Sequence, residues 1–142
     1  MKITRIWKMM LAALVFCALA PTAPGANAKT RTQEIAVALK VPDGAWKLAI
    51  EEVRLVKKEL WVLAAVSRDP DVMGISMITT LKAKVKVDAP DLPTKVFVVG
   101  KTWNWKGKEP YKFIESRKEI AKDLDAGKLL YRKPKAAKKK KD

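Results

Sequence analysis

Leu60, Trp61, Val62, Leu63, Ala64, Ala65 and Val66 follow one another without a polar residue between them. A run this apolar fits a central strand covered on both faces. Its β-branched and aromatic content favours strand over a buried helix, which periodicity alone would also allow. Around it, period-two alternation recurs. Ile35, Val37, Leu39 and Val41 fall on one face of residues 34–41, and Val41-Pro42-Asp43-Gly44 then forms a turn. Trp46, Leu48 and Ile50 share a face in the next stretch, but Val53 and Leu55 fall on the opposite parity. The adjacent Glu51 and Glu52 mark that change of phase and predict a β-bulge or a bend. Lys57-Lys58 links this stretch to the apolar run as a hairpin.

Residues 69–74 interrupt the pattern as a loop. Residues 75–88 read as the next strand, with Val85 and Val87 on one side and Lys82, Lys84 and Lys86 on the other. Two prolines, Pro90 and Pro93, make a rigid loop before a short strand at 95–101. Residues 100–110 are irregular. A helix follows: Ser116 and Glu119 have capping-box spacing, Ile120 and Leu124 line one face, and Gly127 supplies the stop. Leu129 to Tyr131 is either a last strand or a docking segment. The predicted fold is mainly β, an antiparallel β-sandwich or partly open barrel with one short C-terminal helix.

The first 28 residues read as an export leader. Lys2, Arg5 and Lys8 precede an apolar run from Met9 to Ala20, and Ala26-Asn27-Ala28 is a small-residue cleavage pattern. The run is shorter than the roughly 20 residues a membrane span needs. Phe16 before Cys17 argues against lipidation. Cleavage would leave 114 of the 142 residues, enough for one domain at 29–131, exported to the periplasm or secreted. Cys17 is the chain's one cysteine and there is no histidine. Disulfides, zinc sites built from Cys and His, and Cys or His nucleophile–base pairs are thereby excluded from the mature chain. Ser67, Ser76 and Ser116 have no histidine to activate them. No glycine-rich phosphate loop is present, and Glu51 and Glu52 are adjacent, so in a strand they point apart. No cofactor or metal is expected, and enzyme is the least favoured class.

Three candidate sites stand out. Val72 and Met73 occupy the tip of the 69–74 loop, where exposed apolar side chains would contact a partner; Asp69 and Asp71 offer too few oxygens for calcium. Trp103 and Trp105 flank Asn104, so in an extended chain both indoles face one way, either gripping a partner or capping the sheet. The basic tail, 132–142, carries Arg132, Lys133, Lys135, Lys138, Lys139, Lys140 and Lys141 against one acid. It has almost no apolar content and is expected to stay disordered. The whole chain has 30 basic and 15 acidic residues. Such a tail either keeps the protein soluble or tethers it to anionic envelope lipid or polymer. Nucleic acid is disfavoured by the leader and by the lack of a sequence-reading motif.

Residues 44–87 resemble a small bacterial domain family attached to extracellular protease complexes. The pattern is carried by Gly44-Ala45-Trp46, Ile50-Glu51-Glu52-Val53, Leu60-Trp61-Val62, Pro70, Ile78-Thr79-Thr80 and Val85-Lys86-Val87. The resemblance implies a β-sandwich that associates with, or inhibits, a protease through its end loops. Taken together, the expectation is an exported, non-catalytic module that binds a protein. The alternative is an envelope-associated structural protein held by its tail.

Overall fold

A computed structural model describes residues 29–135. Seven strands run in the order β1 (Arg31–Val41), β2 (Trp46–Val56), β3 (Glu59–Arg68), β4 (Thr79–Ala89), β5 (Thr94–Val99), β6 (Lys112–Ile114) and β7 (Lys128–Arg132). Between β6 and β7 lie a 3-10 turn at Arg117–Glu119 and a helix, α1 (Ala121–Ala126). The strands form two sheets, a two-stranded ribbon β1-β4 and a five-stranded sheet in the order β6-β5-β3-β2-β7. The leader and Lys138 to Lys141 lie outside the described residues.

The apolar run lies in β3, at the centre of the larger sheet. Leu60, Val62, Ala64 and Val66 face the ribbon and join Ile35, Val37, Leu39 and Val41 in one core. Leu63 faces the other way and packs with Phe97, Ile114, Ile120 and Leu124 beneath the helical layer. Both faces of β3 are therefore covered. In the ribbon, β1 and β4 run antiparallel with Ile35 opposite Val85 and Leu39 opposite Leu81.

The bulge lies where the charge pair predicts it, between Ile50 and Glu52. It keeps Trp46, Leu48, Ile50, Val53 and Leu55 on the core side despite the change of parity. The same shift turns Glu52 and Arg54 together onto the helix side, where both are buried. There the Glu52 carboxylate accepts from Arg54 Nε at 3.0 Å and from Arg117 at 3.3 Å, and pairs with Arg132 at 3.2 Å. One buried carboxylate thus ties together β2, the 3-10 turn and β7.

Several expectations are corrected. The larger sheet is not purely antiparallel: β3 pairs with β5, and β5 with β6, in parallel. The reason is connectivity. β4 leaves to join the ribbon, so the chain re-enters beside β3 travelling in the same direction, and residues 100–111 make the second return pass. β4 begins at Thr79, not at residue 75. Arg132 is the last residue of β7, and the Lys133 backbone N–H donates to the Glu51 carbonyl at 2.8 Å. Arg132 therefore belongs to the sheet and Lys133 is hydrogen-bonded to it, rather than both starting a free tail. Glu119 accepts from the Ser116 backbone N–H at 3.2 Å, the reach-back half of the capping box. Gly127 has an ordinary φ of −80°, and what demands glycine there is proximity. A Cβ would meet the Leu55 carbonyl oxygen and Val56 Cγ2, both at 2.7 Å.

Burial works against the ionised form of Glu52, but hydrogen bonds and charge from Arg54 and Arg117 outweigh it and hold the carboxyl below its usual range. A depressed native pKa contributes stability that is complete above the unfolded value, about 4.3, and is lost as pH falls through the native one. Glu52→Gln should cost about 3 kcal/mol at neutral pH, because it removes the buried carboxylate shared by Arg54, Arg117 and Arg132 and leaves buried Arg54 only the exposed Asp125 carboxylate at 3.8 Å. It should also flatten the loss of unfolding free energy on acidification below about pH 4. Urea denaturation across that range checks both effects, and a variant as stable as the wild type would contradict the assignment.

Candidate functional site

The loop joining β3 to β4, residues 69–78, is anchored at its base and apolar where it projects. The Asp69 backbone N–H donates to the Ala45 carbonyl at 2.9 Å, and the Asp69 carboxylate pairs with Lys47 at 2.6 Å. Hydrogen bonds from Lys47 and from the Asp71 backbone hold the Asp69 carboxyl below its usual range. Arg68 pairs with Asp43 at 3.4 Å. Midway along, the backbone of Gly74 lies so close to the β1–β2 turn that a Cβ would meet Asp43 Oδ1 at 2.5 Å. On either side of that contact the side chains project into solvent: Val72 is 42% exposed, Met73 98%, Ile75 80%, and Met77 and Ile78 65% each.

Val72 and Met73 are thus exposed. Ile75, Met77 and Ile78 enlarge the apolar surface beyond what the sequence suggested, because alternation from residue 75 onward had assigned them to a strand. The usable signal was Ile78, an apolar residue on the parity that Lys82, Lys84 and Lys86 occupy. Large apolar side chains concentrated on one projecting loop mark a contact site more strongly than the same residues scattered singly.

Trp103 and Trp105 sit at the same end of the molecule. Trp46 opens β2 opposite Arg68, the last residue of β3. The Trp46 ring meets Trp103 edge to face at 5.0 Å, and Trp103 lies 5.7 Å from Trp105. From 101 to 113 the odd residues are all half-buried and the even ones all exposed, so this stretch is extended with one face against the domain. It runs antiparallel to β1: the Lys40 backbone N–H donates to Glu109 at 3.2 Å and the Ala38 N–H to the Tyr111 hydroxyl at 3.1 Å. Side chains thereby satisfy the free edge of β1. Lys101 pins the segment, donating to the Trp105 carbonyl at 2.8 Å with its ammonium 4.6 Å from the Phe113 ring centre. Both indoles face one way, as their spacing implies, and of the two alternatives it left open the half-burial of both rings and the Trp46–Trp103 contact favour closing the sheet end. Asn104 between them is exposed.

Among the described residues no group of three or more Cys, Asp or Glu could hold a metal ion. An open recess of about 220 Å³ is lined by Leu63, Ala65 and Val99 and by Glu51, Glu52 and Arg117, whose charges are engaged in ion pairs. Among the described residues no helix is long and apolar enough to cross a membrane. Comparison with protein-family models, curated proteins and solved structures finds no match.

Trp103→Ala should destabilise the domain by roughly 2 kcal/mol, less than for a fully buried indole. Met73→Ser should change stability by no more than about 0.5 kcal/mol, as at a surface position. Chemical denaturation distinguishes the two, and equal effects would contradict the division between a closing indole and a projecting loop.

Proposed function

We propose that this protein is an exported, non-catalytic binding module that docks through the apolar loop at 69–78. The observation that carries the reading is the exposure of Val72, Met73, Ile75, Met77 and Ile78 on one loop whose base is tied by Asp43 and Asp69. A loop held at its base loses less conformational freedom on binding than a free one, so more of the gain from burying its side chains is retained as affinity. The leader pattern supports export. The absence of histidine from the whole chain, and the saturation of Glu52 by arginines, support a non-catalytic role.

The second reading, tethering by the basic tail, rests on fewer charges than the sequence suggests. Arg132 and Lys133 lie against Glu52 and Glu51, which leaves Lys135 and Lys138 to Lys141. Fractionation of producing cells separates the readings. Met73→Asp with Ile75→Asp should release the protein from its target fraction without moving the melting temperature. Removal of residues 134–142 should leave it retained. Release by tail removal alone would favour tethering instead.

A further inference from the structure

Resting on the reading of residues 69–78 as the docking element, we infer that the surface it docks on is an anionic lipid bilayer. The loop presents exposed apolar side chains on both sides of Gly74. A bilayer accepts such a projection with no matching groove. Charge complementarity points the same way. The loop runs directly into β4, whose outer face carries exposed Lys82, Lys84 and Lys86, and the register sets exposed Lys40 opposite Thr80 at the loop's exit. Lys106 and Lys108 are exposed on the segment running beside β1.

Acidic groups near this surface are largely neutralised. Glu34 pairs with Lys84 at 2.9 Å, Asp43 with Arg68, and Asp69 with Lys47; exposed Asp71 and Asp88 and half-buried Glu109 have no ion pair among the described residues, Asp88 lying at the end of β4 far from the loop. An apolar insertion flanked by lysines is the arrangement by which peripheral proteins hold to anionic membranes, with the apolar part entering the interface and the cations meeting headgroups. The ribbon's outer face would lie along the membrane, and the loop at its end would dip below it.

Flotation of the purified protein with vesicles tests this. One set is phosphatidylcholine, and the other is phosphatidylcholine mixed with phosphatidylglycerol. Anionic vesicles should carry the protein, and neutral ones should bind it at least about tenfold more weakly, since each lysine near an anionic surface contributes about fivefold. Met73→Asp with Ile75→Asp should lower binding at least about tenfold with an unchanged melting temperature, because charge is excluded from the lipid interior. Lys82→Gln with Lys84→Gln and Lys86→Gln should lower it about a hundredfold. No flotation with anionic vesicles, or equal flotation of the wild type and the Met73→Asp/Ile75→Asp variant, overturns the inference. A photo-reactive residue at position 73 then separates the two failures. A discrete protein adduct in envelope extract keeps the loop as a docking element with a protein partner, and no adduct overturns the docking reading as well.

Discussion

Burial of β3 from both sides is the constraint on which the other elements depend. Leu60, Val62, Ala64 and Val66 need apolar cover on one face, and Leu63 needs it on the other. The ribbon supplies the first layer and the short helical segment the second. Those layers cannot both form unless the chain leaves the larger sheet after β3 and returns to it, which produces the parallel pairing of β5 and β6. The excursion to the ribbon begins with residues 69–78. The projecting loop is therefore one of three links between the two sheets, with the β1–β2 turn and the β4–β5 loop, and is anchored at one end by β3 and at the other by β4.

The Glu52 cluster serves the same architecture electrostatically. The helical layer is short, with only Ile120 and Leu124 buried from it, and apolar contact alone fixes it weakly. Arg117 and Arg132 converge on one carboxylate that the bulge has turned toward them, and Arg54 also donates to the Gly127 carbonyl at 3.2 Å. In the projecting loop no comparable network restrains the side chains of Met73 and Ile75. Rigidity is concentrated where layers join, and apolar surface is left free where the loop projects. That division suits a module whose scaffold holds one contact element in place.

Much of the fold was legible because it rests on local pattern. Alternation located β1 and β2, the parity change at Glu51-Glu52 located the bulge, and the unbroken run located the doubly covered strand. Strand direction was not legible, since whether β5 lies parallel or antiparallel to β3 is decided by where β4 pairs, and no residue of β5 encodes that. The extent of the loop was obscured because Ile75 and Met77 share the parity of the inward residues of β4. For the indoles, spacing showed that Trp103 and Trp105 face one way, but only the path of the segment beside β1 shows that this way is inward. The resemblance over residues 44–87 rests on the sequence pattern alone.

Met73 and Met77 are the methionines of the described residues, and both lie on the loop. They are native probes of whether it is free or covered. Oxidation of exposed methionine to the sulfoxide is readily followed by peptide mapping. Mild oxidation of the purified protein and of the protein in its native envelope fraction, compared at these two residues, is the most direct test of the account. The account predicts rapid oxidation of both in the purified protein and strong protection of both in the envelope. Equal oxidation in the two states, or protection already present in the purified protein, would contradict it.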